Sequence, residues 1–410
     1  MQRILVLGGG FAGLWSAAGA ARLLREHGIG PDTIEVMLVD RHAYHNIRVR
    51  NYEADLRDVC VPFDDVLMPI DVKHIEADVV QIDCARQEVH VNAQGTHRAL
   101  SYDRLVFALG SALHRPALPG LAEYAFDVDT YAAAMRLAAH LAKLADQPAS
   151  AARDTVIVVG AGLTGIEVAC EMPDRLRNAL GDGSSSRRAL LLDANGSVGS
   201  DMGQHARPII ESALQSLGIE SMLGVRIAAI DRTGVTLTSG EFIPSSTVVW
   251  CAGMRANVLT TQLAVQHDAL GRVPVDAFLR VQSVDNVFAA GDAAVCNLDG
   301  KNPSVMSCQH GRPMGRYAGH NMAADLIGQP MLPLHIDAYA TVLDLGTWGA
   351  VYTTGRDRKI VSSGAAAKAT KQLINRQRIY PPRSRDPNEI LAAAAPVVQN
   401  APVIIKEQQV

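Results

Sequence analysis

Two short glycine runs carry the chemistry that can be read first. They are Gly8-Gly9-Gly10-Phe11-Ala12-Gly13 and Gly160-Ala161-Gly162-Leu163-Thr164-Gly165, both of the form G-x-G-x-x-G. Each follows an apolar run, Ile4 to Leu7 or Thr155 to Val159, and precedes a segment with helical periodicity. In such a turn the first glycine allows the tight bend, the second lets backbone approach a pyrophosphate, and the third lets helix and strand pack closely. The phosphate then lies against the first amides of the helix. The strand after each loop ends in a carboxylate, Asp40 or Asp193, placed to accept a hydrogen bond from a ribose hydroxyl. For Asp40 the spacing exceeds the usual ~20 residues and implies a longer connection. A carboxylate at Asp193 repels a 2′-phosphate and favours NADH over NADPH, although Arg187 and Arg188 just upstream keep NADPH open.

The elements that must hold these loops repeat. Ile4 to Leu7, a helix over Ala12 to His27 and Ile34 to Val39 form a βαβ start. Thr155 to Val159, a helix over Thr164 to Leu180, the loop Gly181 to Ser186 and the strand Ala189 to Leu192 echo it. Alternation over Val79 to Ile82 and Glu88 to Val91 predicts an antiparallel meander, and Thr130 to Ala145 predicts a linking helix. A helix over Ala206 to Leu217, a short strand over Val235 to Leu237 and a helix near Met314 to Ile327 complete the regular pattern. The class is therefore α/β, with two Rossmann-like dinucleotide-binding domains and a smaller C-terminal domain.

Composition sets the limits. The 410 residues are 48% hydrophobic and 20% charged, with a formal net charge of -4. That excludes the global basic field that would hold nucleic acid. No apolar run approaches the roughly 18–20 residues that span a bilayer. Met1-Gln2-Arg3 leads straight into a strand, so a bacterial-style cytoplasmic location is the default expectation. Cys60, Cys84, Cys170, Cys251, Cys296 and Cys308 form no C-x-x-C or C-x4-C pair, and neither a redox dithiol nor a metal site is read from them.

Val287-Phe288-Ala289-Ala290-Gly291-Asp292 resembles the late FAD motif of the two-dinucleotide flavoprotein superfamily, in which a strand ends in Gly-Asp and the Asp binds the flavin ribitol. Asp292 matches that residue. Leu105 to Gly110, with Ala108, and Val248 to Gly253 resemble the superfamily's two strand-to-glycine crossovers. The order of the three motifs implies FAD on the first loop, with Asp40 and Arg41 at its ribose end, and NADH on the second. It also implies FAD-binding segments 1–125 and 258–330, an NAD-binding domain 126–257, and a C-terminal interface or membrane-proximal region 331–410.

Within the superfamily the chain is most similar to type II NADH dehydrogenases, which lack a redox disulfide and pass electrons from flavin to quinone. Gly165-Ile166-Glu167-Val168-Ala169-Cys170-Glu171 resembles their helix after the NAD loop. The resemblance puts Glu167 by the nicotinamide and flavin, and Glu171 near the acceptor. Spaced i and i+4, both can face one site, and the competing reading is a pair of solvated helix carboxylates. Hydride transfer to flavin asks the protein mainly for stacking geometry and charge control.

The far side of the flavin departs from the family pattern. Where relatives carry an aromatic and proline-leucine run, this chain reads Arg41 to Glu53 with Arg48 and Arg50. If these guanidiniums line the acceptor pocket they favour a polar or anionic acceptor; the alternative pairs them with flavin phosphates or with Glu53 and Asp55. Gln309 and His310 match the family's glutamine segment loosely and are either flavin-edge or acceptor-site residues, with a histidine that caps the helix as the alternative for His310. Ala365 to Tyr380, with Lys368, Lys371, Arg376 and Arg378, could lie on an anionic membrane or form a domain or homodimer interface. Electron delivery to a ferredoxin- or rubredoxin-like protein, and a redox-sensing flavoprotein resembling apoptosis-inducing factors, stand as rivals to a small-molecule acceptor. Sulfide oxidation lacks its close cysteines.

Overall fold

A computed structural model describes residues 1–181 and 186–402. Residues 182–185 of the expected Gly181 to Ser186 loop, and 403–410 of the C-terminal region, lie outside the described residues. Two five-stranded parallel sheets dominate. The first orders its strands Val287–Ala289, Arg104–Phe107, Gln2–Leu7, Ile34–Asp40 and Lys73–Glu76. The second orders Ala125–Phe126, Thr247–Trp250, Thr155–Val159, Arg188–Asp193 and Ile219–Leu223. In both, the strand before the glycine loop sits in the centre, between the strand that ends in the carboxylate and the crossover strand. Val, Leu and Ile fill the inner strands of both sheets on both faces, as expected where helices cover both sides of a parallel sheet, whereas the edge strands Lys73–Glu76 and Ile219–Leu223 are more polar and exposed.

Each sheet carries a three-stranded antiparallel flap. The first is Asp78–Asp83, Glu88–Ala93 and Thr96–Ser101, which contains the two expected stretches and adds a third strand. The second is Ile227–Asp231, Gly234–Leu237 and Phe242–Pro244. The two crossover segments meet. Beyond Gly110 and Gly253 the chain forms the antiparallel strands Ser111–Leu113 and Met254–Ala256, with Ser111 opposite Ala256. This ribbon joins the two halves beside the ends of both central sheets.

The linking helix is Tyr131–Ala142, capped by the Thr130 hydroxyl, which accepts from the Ala133 amide at 3.1 Å. The helix expected near Met314 begins earlier, at Cys308, and runs to Leu326 with Ser307 as its cap. It tolerates Pro313, which forfeits only the bond to the carbonyl four residues back. It packs directly on the glycine-loop helix Phe11–Glu26. A Cβ on Gly315 would stand 2.2 Å from the Ala12 carbonyl oxygen, and the Ser16 hydroxyl donates to the carbonyls of Ala12 (2.9 Å) and Gly315 (3.1 Å). Such a crossing admits no side chain between the backbones.

The C-terminal region holds a sheet that periodicity did not reveal, Ala340–Asp344, Ala350–Thr354 and Lys359–Ser363. The helix Gly364–Leu373 follows, continued as a π-turn over Ile374–Arg378, and then the helix Pro387–Ala393. No helix among the described residues is long and apolar enough to cross a membrane.

Candidate redox site

The two loops share one geometry. Gly8 and Gly160 have φ of +94° and +105°, the left-handed region that a Cβ disfavours. Gly13 and Gly165 press so close to the first glycine of their loops that a Cβ on either would lie 1.7 Å from its carbonyl oxygen. The middle glycines differ in kind: a Cβ on Gly10 meets nothing within 4 Å, and one on Gly162 meets only Asp201 Oδ2 at 3.9 Å. The helices Phe11–Glu26 and Leu163–Leu180 begin there with no side-chain cap and no acid in the first turn. Unsatisfied amides and the positive end of the helix dipole are thus kept for an anion at both loops. Residues Phe11, Ala12, Leu163 and Thr164 supply those first turns, and the arrangement fits two dinucleotide pyrophosphates.

The carboxylates that end the following strands turn back onto the loops. Asp40 accepts from the Gly9 amide at 2.6 Å and from His42 N at 2.9 Å. Asp193 accepts from Ala161 N at 2.5 Å and from Asn195 N at 2.6 Å. Both carboxylates thus lie against the glycine loop of their own unit. Arg41, next to Asp40, is exposed and pairs with Asp78 at 3.2 Å. Arg188 opens the strand that Asp193 closes and is bound to Glu220 at 2.7 Å, while Arg187 donates to the Gly181 carbonyl. At ~3.3 Å per strand residue, Arg188 is well over 10 Å from Asp193, and both arginines are engaged away from that carboxylate.

Asp292 follows Gly291 in the turn between the strand Val287–Ala289 and the helix Cys308–Leu326. It accepts from the Ser111 hydroxyl at 2.6 Å, with the Arg48 guanidinium 3.8 Å away. Burial pushes its carboxyl up, against the pull of Ser111 and Arg48. Arg48 also donates to Ser111 (3.0 Å to Oγ) and to Asp129, spanning the ribbon between the two halves. Arg50 is buried, with its fork on Glu53 (2.7 Å) and Nη1 on the Tyr380 hydroxyl (2.6 Å). Of the two readings of these arginines, the ion-pair one describes Arg50. Asp55 is taken instead by Arg57.

Glu167 and Glu171 meet the C-terminal region. Glu167 is buried and receives Lys371 Nζ at 2.7 Å and the Asp344 amide at 3.2 Å. Asp344 in turn receives Lys368 Nζ at 2.5 Å and the Tyr52 hydroxyl at 3.0 Å. Burial raises the Glu167 carboxyl, with Lys371 pulling the other way; burial lowers the Lys371 ammonium, but Glu167 and then Asp344 outweigh it and hold the lysine charged. Glu171, half-buried one turn further along, is pushed up to about 7 by burial and then by Asp344. The solvated-carboxylate reading therefore fails for Glu167. Of the four basic residues in this stretch, Lys368 and Lys371 turn inward to Asp344 and Glu167.

Gln309 and His310 serve the scaffold in this state. With its amide oriented to suit its neighbours, Gln309 donates to the Ala340 carbonyl (2.6 Å) and accepts from the Ala340 amide (3.1 Å), pinning the helix to the C-terminal sheet. His310 is buried, accepts from Val305 N at 2.9 Å through Nδ1, and is pushed down to about 4 by burial. Sequence reasoning missed His45, fully buried beneath the first loop, whose Nδ1 donates to the Gly9 carbonyl at 2.9 Å and whose pKa burial pushes down to about 4. It also missed Lys371 as a partner of Glu167. Only a lysine facing an apolar helix side could have signalled it.

Two parallel sheets with paired anion-binding loops define a two-dinucleotide oxidoreductase. Residues 2–319 match the pyridine nucleotide-disulphide oxidoreductase family, to which the chain belongs. It is an enzyme that uses FAD and NAD(H). The chain is 56% identical over 404 residues to an NADH dehydrogenase-like protein of Mycobacterium tuberculosis, covering 98% of this chain and all of that one. It is 30% identical to the demethylphylloquinone reductase of Synechocystis (91% of each chain), and 26% identical to the type II NADH:quinone oxidoreductase of Staphylococcus saprophyticus (92% of this chain, 95% of that one). The solved structure of NDH2 from Plasmodium falciparum in complex with NADH shares the fold at a TM-score of 0.76 and 13% identity, covering 96% of this chain and 97% of that one.

Proposed function

We propose that this chain oxidises NADH on an FAD held by segments 1–125 and 258–330, with NADH on 126–257, and passes the electrons to a quinone or quinone-like small molecule. The observation that carries the acceptor is the placing of the cysteines: the six include no C-x-x-C or C-x4-C pair that could serve as a relay dithiol inside the protein. Electrons must leave the cofactor directly for an external acceptor. The quinone-reducing relatives support that direction.

Bound FAD supplies hydride acceptance and onward electron transfer. Asp292, through Ser111 and Arg48, orients the ribitol side; Asp40 and Asp193 receive the two riboses. Reducing a quinone with NADH consumes one further proton, since the hydride brings two electrons and one proton. The Glu167–Lys371 pair holds a proton on Lys371 Nζ, out of bulk water, and Glu171, pushed up to about 7, exchanges with solvent at neutral pH. Lys371 is the donor and Glu171 the refilling group in this reading.

Steady-state NADH oxidation with no added acceptor, with menadione and with ferricyanide tests it. Turnover with menadione is the expected result. Absence of turnover in all three arms sinks the enzymatic reading and leaves the sensing one; turnover with ferricyanide but not menadione points to a protein acceptor.

A further inference from the structure

The cationic stretch near Arg48 and Arg50 is balanced by Asp129 and Glu53, but a second pair of guanidiniums is not. Arg312 and Arg316 lie one turn apart on the helix Cys308–Leu326, 7% and 2% exposed. Neither forms an ion pair with any carboxylate among the described residues, and the Nε of each is buried without a partner. Each is pulled down to about 10 by burial, with further like-charge repulsion from Arg378 on Arg312 and from Arg312 on Arg316. Trp15, from the first glycine-loop helix, stacks with both, at 4.6 Å from Arg316 and 5.8 Å from Arg312, and its own Nε1 is buried and unpartnered. A cation–π contact offsets only a fraction of the cost of burying a guanidinium.

Among the described residues Arg312 has one hydrogen-bond partner, Gln399 Oε1 at 2.9 Å, on an exposed residue of the C-terminal tail. A neutral amide is a weak counterpart for two cations, and a carboxylate would displace it with a net gain in charge balance. The cluster also lies toward the redox site. Cys308 begins the same helix one turn before Arg312 and is within electrostatic range of Arg312, Lys371 and Asp292.

We propose that Arg312, Arg316 and Trp15 form a binding site for a carboxylate carried on an aromatic electron acceptor, the guanidinium forks taking the anion and the indole donating to it. The inference rests on the small-acceptor reading above and narrows its substrate class from neutral quinones to acidic ones.

The test uses oxidised holoenzyme titrated calorimetrically with 2-naphthoate, which is redox-inert, and with its neutral methyl ester. Naphthoate binding, with competitive inhibition against menadione, is the expected result. Arg316→Met should weaken naphthoate about 10- to 100-fold, the scale of one charge-assisted bond, while leaving the ester unchanged. Arg316→Lys, which keeps the charge without the fork and guards against a folding artefact, should lose less. Equal binding of acid and ester to the wild type, or undiminished naphthoate binding to Arg316→Met, overturns the site. Naphthoate binding without menadione turnover would instead overturn the quinone reading and leave the anion site standing.

Discussion

Replacing Lys371 with methionine removes the positive half of a buried pair whose other half cannot follow it into water. Glu167 is 8% exposed, receives Lys371 at 2.7 Å, and keeps only the Asp344 amide at 3.2 Å once the lysine is gone. Stripping one partner from a buried pair costs about 3–5 kcal/mol, because the remaining charge is left uncompensated. Glu167 can escape that cost by taking up a proton, at about 1.36 kcal/mol per pH unit above its pKa. Its folded pKa is already raised by burial, and losing Lys371 raises it further. For an acid whose folded pKa exceeds its unfolded value of about 4.3, stability is fully present below that value and is lost as pH rises through the folded pKa. Lys371→Met should therefore come closest to the wild type near about pH 4 and fall behind it by about 3–5 kcal/mol near about pH 8. Urea unfolding followed by circular dichroism at several pH values, taken as the difference from wild type, reads this out. Adding Glu167→Gln should recover most of the loss and flatten its pH dependence. A penalty that is constant with pH, or a double variant no better than the single one, would refute the reasoning.

Three further outcomes follow from the site. Gly162→Val should keep its flavin and bind NADH more weakly, since a Cβ there meets only Asp201 Oδ2 at 3.9 Å, whereas Gly165→Ala, whose Cβ would lie 1.7 Å from a carbonyl oxygen, should fail to fold. Loss of flavin from Gly162→Val would reverse the assignment of the two loops. Asp292→Ala should purify without flavin absorbance, because Ser111 and Arg48 lose the carboxylate that both address. The pH profile of acceptor reduction should fall as pH rises through about 7, where Glu171 loses its proton, and Glu171→Gln should remove that limb. An unchanged profile would take Glu171 out of the proton path.

Much of the scaffold was legible because it is local. Strand, glycine turn, helix and carboxylate fall within one βαβ unit in each half, so Gly8 to Asp40 and Gly160 to Asp193 could be read in order. The third flap strand, Thr96–Ser101, was missed because its residues are mostly exposed and carry no alternation. The C-terminal sheet was missed although Ala340–Asp344 and Ala350–Thr354 pair across a short turn, because both strands are apolar on successive residues. Arg187 and Arg188 misled for a simpler reason: nearness to Asp193 in sequence is a strand's length in space.

The sequence by itself determined two glycine loops, their order, and a carboxylate at the end of each following strand, since helix dipoles and glycine backbone angles act over a few residues. Tertiary structure alone decided which charges meet. Glu167 and Lys371 are 204 residues apart, Arg48 and Asp129 are 81 apart, and Trp15 reaches Arg316 across two helices that close only because Gly315 has no side chain. Whether a charged residue is balanced depends on what burial brings within a few ångströms of it, where removal of water makes each missing partner costly. That is why Arg48 and Arg50, conspicuous in the sequence, are the neutralised pair, and Arg312 and Arg316 are a pair without a counterion among the described residues.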